Sequence, residues 1–415
     1  MTATLGQPAW IKAPATLAVF DALEAAGGAD CVRFVGGCVR NALIGQPVAD
    51  IDLATRLTPE AVIAALKAAG LKAVPTGVEH GTVTAVSARQ PFEITTLRRD
   101  VETDGRRAVV AFTDDWAEDA HRRDFTLNAL YAARDGTIFD PTGHGVADAR
   151  AGRIVFVGEP RARIGEDYLR ILRFFRFAAW YGKGPPDAAA LAACVALKDQ
   201  LTGLSAERIA KELLKLLAAD DPRSTVALMA REGVLGVILP GELNVARFEG
   251  LVAVEEAMFE AEAVLRLAAL LPDDQVGAAQ VAGRLRLSNA ERDRIVAALG
   301  PGPELKSWLS PREIRRALYQ VGPQAFRDRV KLAWARSGGT AATAQWRGMI
   351  ALGEGWTAPA LPVTGEDAIA AGAPRGPMVG QVLREVEAWW IDQDFPADRL
   401  AAIEKLKAVV QGMAL

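Results

Sequence analysis

The sequence is poor in cysteine and histidine, the residues that form disulfides and many metal centres. Its 415 residues contain three of each. The cysteines, Cys31, Cys38 and Cys194, have neither the spacing of metal ligands nor the arrangement of a disulfide framework. This usage is typical of a protein from a reducing cytoplasm. The sequence therefore argues against a disulfide-stabilised scaffold.

Long apolar runs and an excess of positive charge are also missing. No uninterrupted apolar stretch is long enough to span a bilayer, and residues 1–10 lack the basic-then-apolar pattern of a signal peptide. The 48 Lys and Arg residues face 51 Asp and Glu residues, so the formal net charge is −3. An overall basic field, typical of nucleic-acid-binding proteins, is absent. We expect a cytoplasmic protein without membrane contact or an evident obligate protein partner, and an RNA partner would need a local basic surface.

The composition is otherwise that of an ordinary globular protein. Half of the residues are hydrophobic and 24% are charged, which distinguishes the chain from disordered proteins. A chain of this length is expected to form two or three domains.

The most informative stretch combines a glycine turn with two carboxylates. An apolar run ends at Val35, Gly36 and Gly37 open a short helical segment, and Asp50 and Asp52 begin the next strand. Residues two apart on a strand share a face, so these carboxylates project together. Mg²⁺ prefers such oxygen ligands, and backbone N–H groups of a glycine turn can approach a phosphate closely. The stretch predicts metal-assisted chemistry on a nucleoside triphosphate.

This block, residues 34–45 and 50–55, resembles the signature of the polymerase-β-like nucleotidyltransferases, in the branch of bacterial tRNA nucleotidyltransferases (CCA-adding enzymes) and poly(A) polymerases. The match consists of the glycine pair, Arg40, and the two aspartates at the family spacing. The resemblance implies an α+β fold, in which a head with a small mixed β-sheet precedes an all-helical neck, body and tail. We expect the head at residues 1–160, the neck at 161–240, and the body and tail at 241–415.

A third carboxylate fits the same site. Two alternating segments, residues 81–86 and 92–97, predict a β-hairpin, and Glu93 lies on the polar face of its second strand. From the residues alone, Glu93 would be an exposed strand carboxylate. The resemblance implies instead that it is the third acidic residue of the active site.

The string from Arg122 to Ala129, RRDFTLNA, is the most specific in the chain. Without the resemblance it predicts a helix start with Asp124 as N-cap. In the family, the matching arginine contacts the triphosphate and the aspartate contacts the ribose hydroxyls, which implies these roles for Arg123 and Asp124. Asn128, in the same string, is a further nucleotide-binding candidate. Arginine suits a phosphate because it can donate two parallel hydrogen bonds.

Residues 166–177 predict one helix that carries charges among large apolar side chains. Ion pairs three or four residues apart are one interpretation. The resemblance implies another, in which this Glu-Asp-x-x-Arg segment is a protein template: Asp167 and Arg170 pair with the base of the incoming CTP or ATP, and Arg173 and Arg176 support the nucleotide and its triphosphate.

Two departures from the family pattern and one charged segment complete the head. Asn41 stands where relatives usually carry Asp, and His144 separates Gly143 from Gly145 in a family turn. Residues 98–120 are rich in charge and are expected to form a solvated loop. In the family a loop here is needed for the final A addition, and its full length favours complete CCA addition.

The second half is expected to be helical and to contact tRNA phosphates by charge and shape. The sequence Trp389-Trp390 is expected in a core. The basic candidates for tRNA contact are Arg284, Arg286, Arg292, Arg294, Arg312, Arg315, Arg316, Arg327, Arg329 and Lys331.

The predicted activity is template-independent addition of C, C and A to the 3′ end of tRNA from CTP and ATP, with release of pyrophosphate. The resemblance implies two Mg²⁺ ions bridged by Asp50 and Asp52, one activating the RNA 3′-hydroxyl and one stabilising the pyrophosphate. Glu93 would help to hold the first ion or accept the hydroxyl proton.

This activity has two alternatives, and some relatives carry one additional activity. Poly(A) polymerases share the head but usually carry a Gly-Arg-Arg-Phe-like segment, where this chain has residues 77–82 in the form seen in tRNA nucleotidyltransferases. A non-catalytic RNA-binding protein would not need the intact carboxylates. The appended HD phosphohydrolase domain of some relatives needs metal-binding histidines, whereas His80, His121 and His144 all lie in the head.

Overall fold

The structure, a computed structural model, describes residues 3–104, 107–338, 342–396 and 398–413. The chain divides into two units, Met1–Pro240 and Gly241–Leu415. The first unit contains a β-sheet and helices, and the second is helical throughout its described part. The α+β fold predicted from the sequence is confirmed, while its three-part division into head, neck, and body with tail stays a prediction.

Within the described residues, one mixed sheet forms the centre of the first unit. Its strand order is β3-β4-β5-β2-β1-β8-β9. Strands β2 and β5 are parallel, and the other neighbouring strands of the sheet are antiparallel. The strands are β1 (Val32–Val35), β2 (Ile51–Thr55), β3 (Lys72–Gly77), β4 (Thr82–Ser87), β5 (Gln90–Thr96), β8 (Tyr131–Ala132) and β9 (Ile138–Phe139).

Helices cover the sheet because their apolar faces match the buried face of the strands. Phe20 of α2 is fully buried and contacts Phe34 of β1, with ring centroids 4.6 Å apart. Thr58 caps the next long helix through a hydrogen bond from the Ala61 N–H group (3.3 Å), and proline follows the cap. The first helices are α1 (Ala9–Lys12), α2 (Pro14–Gly27), α3 (Gly37–Leu43) and α4 (Pro59–Ala68).

The prediction of a solvated loop over residues 98–120 is wrong. Strands β6 (Arg98–Asp104) and β7 (Arg107–Phe112) pair antiparallel as a separate hairpin, and helix α5 (Trp116–His121) follows. Trp116 is buried in the core beneath the sheet. The many charged residues of this segment obscured the sequence patterns of the hairpin and of α5.

The helices after the sheet complete the first unit. The prediction of one helix over residues 166–177 is wrong, because α7 ends at Glu166 and the backbone of Asp167 is extended (φ −155°, ψ 106°). The helices are α6 (Gly145–Ala151), α7 (Pro160–Glu166), α8 (Leu169–Tyr181), α9 (Ala188–Leu197), α10 (Ala206–Leu217), α11 (Arg223–Arg231) and α12 (Val234–Ile238).

The second unit consists of helices, two of which open on capping boxes. Ser288 and Ser310 each accept a hydrogen bond from the N–H group of the glutamate three residues on, and that glutamate returns one. Trp390 is buried as expected. The helices are α13 (Val245–Met258), α14 (Ala263–Leu270), α15 (Gln275–Arg284), α16 (Asn289–Leu299), α17 (Pro311–Val321), α18 (Pro323–Arg336), α19 (Thr343–Gly355), α20 (Gly365–Ala370), α21 (Pro377–Asp392) and α22 (Arg399–Met413).

Several basic residues of this unit hold the protein together rather than face solvent. Lys331 is fully buried and pairs with Glu262 (2.5 Å), and Arg294 pairs with the buried Asp328 (2.7 Å). Arg329 donates to main-chain carbonyls, including that of Ala297 (2.8 Å). These three candidates for tRNA contact are therefore engaged within the unit. No helix in the described part of the chain is long and apolar enough to cross a membrane.

Candidate active site

Three carboxylates meet where β2 and β5 run side by side. Buried Ile51 and Leu53 point into the core, so Asp52 between them faces the opposite side of the sheet. Asp52 lies directly across from Glu93 in the parallel register. Asp50, exposed just before β2, lies close enough for its charge to act on Asp52. The sheet thus brings together residues that are about 40 positions apart in the sequence.

The charges of Glu93 and Asp50 both act on the Asp52 carboxylate. Burial, together with these two neighbouring charges, raises the pKa of Asp52 to about 6, against the opposing effect of Arg123. Two like charges that raise the pKa of a third favour a bound cation between them.

The donor set suits magnesium that is shared with a substrate. In the described part of the chain, no group of three or more His, Cys, Asp or Glu side chains is arranged to hold a metal ion by itself. Mg²⁺ usually binds one or two carboxylates and completes its shell with waters and substrate phosphates. Asp50 and Asp52 provide such a pair of oxygen donors.

The predicted glycine turn lies beside this carboxylate group. Gly36 has φ +68°, a conformation that favours glycine, and its N–H group donates to the Leu130 carbonyl (3.0 Å). A Cβ atom at Gly36 would lie 3.7 Å from Nη1 of Arg123 and 3.6 Å from the Asn128 carbonyl oxygen. Gly37 begins helix α3. The turn and the Arg123 guanidinium therefore border the same space.

A buried aspartate that the sequence analysis missed holds Arg123 in place. Asp119 is 1% exposed, and its Oδ2 accepts hydrogen bonds from Arg123 Nη2 (2.9 Å) and the Tyr131 hydroxyl (2.6 Å). Its Oδ1 accepts from Arg122 Nε (2.9 Å). Although burial opposes ionisation, the two arginines hold the pKa of Asp119 well below its ordinary value. Its place in the sequence could have indicated this role, because Asp119 precedes Arg122 by three residues and Arg123 by four, the spacing of ion pairs on a helix.

Asp124 is buried and fully engaged. Its Oδ1 accepts from the Phe125 N–H group (2.9 Å) and Asn128 Nδ2 (3.2 Å), and its Oδ2 accepts from both Nε (2.8 Å) and Nη2 of Arg173. These four donors use the lone-pair positions of the carboxylate. Against the effect of burial, Arg173 lowers the pKa of Asp124. A ribose hydroxyl at Asp124 would have to replace one of these donors.

Arg40 points toward α8 and not into open solvent. Its guanidinium donates to Asn128 Oδ1, to Asn41 Oδ1 (2.8 Å) and to the hydroxyl of Tyr181 (2.8 Å), and it lies 4.0 Å from the centre of the Tyr181 ring. Burial lowers the pKa of Arg40. Asn41, the departure from the family pattern, remains a hydrogen-bond partner of Arg40 without supplying a countercharge.

Helices α7 and α8 are held against the Arg122–Arg123 backbone. Arg163 Nη2 donates to the Arg123 carbonyl (2.9 Å), and Arg170 Nη2 to the Arg122 carbonyl (3.4 Å). Arg170 also pairs with Glu166 through an (i, i+4) contact. The arginine face of α8 therefore lies next to the segment that carries Arg123 and Asp124.

The two predicted template residues are engaged with different partners. Asp167 Oδ2 accepts from Arg208 of α10 (2.7 Å), whereas Arg170 contacts Glu166. Asp167 Oδ1 accepts from the Leu169 N–H group (3.1 Å) at the start of α8. The (i, i+4) ion pair of the first interpretation is thus present, while the role of these two residues as a template stays a prediction.

Arg176 is tied to α10 in the same way. Its Nε donates to Glu212 Oε2 (2.6 Å), and Glu212 is buried. Sequence analysis missed Glu212 and Arg208 as partners, because each lies 36 or more positions from the residue that it contacts.

The turn with the inserted His144 is intact. Asp140 accepts hydrogen bonds from the N–H groups of Gly143 (3.1 Å) and Val146 (3.0 Å). A Cβ atom at Gly145 would collide with the carbonyl of Thr126. The close contact therefore still requires a glycine after His144.

Comparison with known proteins agrees with this geometry. Residues 32–155 match the family described as "Poly A polymerase head domain", and residues 186–243 match "Probable RNA and SrmB- binding site of polymerase A". The structure is similar to that of the Bacillus stearothermophilus CCA-adding enzyme in complex with CTP, with a TM-score of 0.76, 26% identity, and coverage of 96% of this chain and 98% of that one.

Relatives from animals are also similar in sequence. The human mitochondrial CCA tRNA nucleotidyltransferase 1 is 41% identical over 225 residues, which is 52% of this chain and 51% of the human protein. The mouse protein of that name is 34% identical over 367 residues, which is 86% of this chain and 82% of the mouse protein. The resemblance inferred from the sequence motifs is therefore confirmed, and the chain belongs to the CCA tRNA nucleotidyltransferase family.

Proposed function

We propose that this enzyme adds C, C and A to the 3′ end of tRNA without a nucleic-acid template, using CTP and ATP and releasing pyrophosphate. One observation carries the proposal: Asp50, Asp52 and Glu93 gather at the β2–β5 pair, beside the glycine turn that Arg123 borders. Membership of the CCA tRNA nucleotidyltransferase family supports the choice of tRNA and of the two nucleotides.

The cofactor of this proposal is a pair of Mg²⁺ ions held by Asp50 and Asp52. Bound Mg²⁺ supplies activation of the RNA 3′-hydroxyl and neutralisation of charge on the triphosphate. The paired carboxylates and the raised pKa of Asp52 suit this role. Glu93, across from Asp52, would assist there or accept the proton of the attacking hydroxyl.

The remaining residues of the head bind and orient the triphosphate and ribose. Arg123, fixed by Asp119, donates to phosphate oxygens next to the backbone of Gly36 and Gly37. Arg40 adds positive charge behind the turn. Asp124 orients the ribose by exchanging one of its present donors for a hydroxyl, and Asn128 keeps its carboxylate in position.

Base selection is assigned to the face of α8 and the residue before it. Asp167 and Arg170 present an acceptor and donors to the edges of C and A, held by Arg208 and Glu166. Arg173 and Arg176 support the nucleotide through Asp124 and Glu212. The helical second unit would bind the body of the tRNA, and the reaction would take place in the cytoplasm.

One substrate panel tests the whole proposal. tRNAs that end at the discriminator base, at C and at CC are each incubated with CTP, ATP or both, and the products are resolved on a sequencing gel. We expect addition to stop after A in every tRNA when both nucleotides are present. Long A tails would indicate a poly(A) polymerase, and no extension with any substrate would indicate a non-catalytic RNA-binding protein.

A further inference from the structure

Helix α8 ends in an exposed tryptophan whose orientation is fixed. Trp180 is 46% exposed, whereas Trp334 and Trp390 are buried. Its indole Nε1 donates a hydrogen bond to the carbonyl of Lys215 on α10 (2.7 Å). One face of a large aromatic ring is therefore offered to solvent while its polar edge is satisfied.

Three contacts follow one another in the same order along both helices, which shows that α8 and α10 run side by side in the same direction. Asp167, just before α8, contacts Arg208 (2.7 Å), and Trp180 at the far end contacts Lys215. Between them, Arg176 contacts Glu212. The two helices therefore form one continuous surface from the predicted template to the exposed indole.

Trp180 lies on the arginine face of α8. At 100° per residue, its direction falls between those of Arg173 and Arg176. It is ten residues beyond Arg170, which corresponds to about 15 Å along the helix axis. The indole is thus on the nucleotide side of α8, but too far from Arg170 to contact the same base.

Two exposed lysines on α10 lie along this surface. Lys211 and Lys215 follow Arg208 at intervals of three and four residues, so they share one face of α10. Among the described residues, neither ammonium group pairs with a carboxylate. We call Trp180, Lys211 and Lys215 the indole–lysine strip. Exposed cations beside an aromatic face are the elements that bind single-stranded nucleic acid.

We propose that Trp180 stacks on an unpaired nucleotide of the tRNA acceptor end, upstream of the 3′-hydroxyl that is extended, and that Lys211 and Lys215 contact its flanking phosphates. This inference rests on the proposed function. It adds a primer-binding position to the surface that selects the incoming nucleotide. By holding the preceding nucleotide, the indole–lysine strip would orient each new 3′ end toward Asp50 and Asp52.

A matched pair of variants distinguishes the loss of an aromatic stacking face from the loss of the tryptophan's other contacts. Trp180→Leu and Trp180→Phe both lose the hydrogen bond to Lys215, but Phe keeps an aromatic face. Steady-state CMP and AMP incorporation is measured with tRNA as the varied substrate and then with each nucleotide as the varied substrate.

We expect Trp180→Leu to raise the KM for tRNA about tenfold, the size of one lost base–aromatic stack, with kcat and the KM for CTP and ATP within twofold of wild type. Trp180→Phe should stay within threefold of wild type. Equal KM values for tRNA in the Leu and Phe variants would overturn the proposal.

Abasic substrates identify the stacked nucleotide. Each unpaired position of the acceptor end is replaced in turn by an abasic nucleotide, and the KM is compared for wild type and Trp180→Leu. At one position, loss of the base should raise the KM of the wild-type enzyme for tRNA. The same loss should not raise the KM of Trp180→Leu any further, because the two changes remove the same contact. Additive effects at every position would refute stacking by Trp180, while extension by wild type would still support the proposed function.

Discussion

Replacement of Asp119 by Asn should leave Arg123 in the protein but release it from its position beside the Gly36 turn. The Asp119 carboxylate accepts three hydrogen bonds at Oδ1 and three at Oδ2, the donors being Arg122, Arg123, Tyr131 and the Arg98 N–H group. An asparagine keeps the shape but turns one oxygen into an NH₂ group. In either orientation, three donors then face another donor.

The cost follows from burial. Removal of one partner from a buried charge pair costs about 3–5 kcal/mol, and Asp119 is 1% exposed. We expect Asp119→Asn to lower the free energy of unfolding of the sheet by about this amount. Because Arg123 would move away from the Gly36 turn, kcat/KM for CTP should also fall on the order of 100-fold.

Asp148→Asn is the matched control. Asp148 is also buried and accepts two hydrogen bonds from Arg153 (2.9 and 2.7 Å) and one from Thr126 (2.7 Å), but it does not contact Arg123. Amide hydrogen exchange in β2 and β5 measures the stability of the sheet, and single-turnover CMP incorporation measures catalysis. Both variants should be less stable, whereas only Asp119→Asn should lose activity 100-fold.

The pH dependence gives a further check. Because the pKa of Asp119 is depressed in the folded protein, its stabilising contribution is complete above the unfolded pKa of about 3.9 and is lost as the pH falls through the folded value. The difference in stability between wild type and Asp119→Asn should therefore be constant from pH 5 to 8 and shrink only in stronger acid. An Asp119→Asn enzyme with the kcat/KM of wild type would refute the role of Asp119 in positioning Arg123.

Three further predictions concern the metal, the template and the second unit. Asp50→Ala, or removal of divalent metal from wild type by a chelator, should abolish incorporation while tRNA retention in a filter assay persists; loss of tRNA binding to the same degree would argue against a metal role. Arg170→Ala should relax the preference for CTP and ATP over UTP and GTP more than it weakens tRNA binding, and unchanged preference in competition assays would place base selection elsewhere. Glu255→Gln should destabilise the second unit by about 3–5 kcal/mol in urea denaturation, because the equally buried Arg266 loses the negative charge of the Glu255 carboxylate; an unchanged midpoint would contradict this.

Local patterns predicted the elements whose signals lie within a few residues. Threonine followed by proline indicates the start of α4, and the alternation around Glu93 places its side chain on the polar face of β5. The hairpin over residues 98–112 was missed because charged residues interrupt that alternation. The break at Asp167 had a signal that was not used, since aspartate commonly precedes the first turn of a helix.

Partners distant in sequence could not be predicted. Nothing near Arg176 indicates that Glu212 lies beside it, and nothing near Arg294 indicates the buried Asp328. For the same reason, Lys331 was expected to contact tRNA, although it is fully buried against Glu262. Such pairs form when helices pack, and one sequence does not reveal which faces meet.

The parallel pairing of β2 with β5 has a consequence for synthesis of the chain. Parallel neighbours need a crossover connection, so Asp52 and Glu93 can become neighbours only after the segment with α4, β3 and β4 between them has been synthesised. Arg123 and α8 are added still later in translation. An unfinished chain released from the ribosome before residue 93 would thus hold a glycine turn and two aspartates but no complete centre.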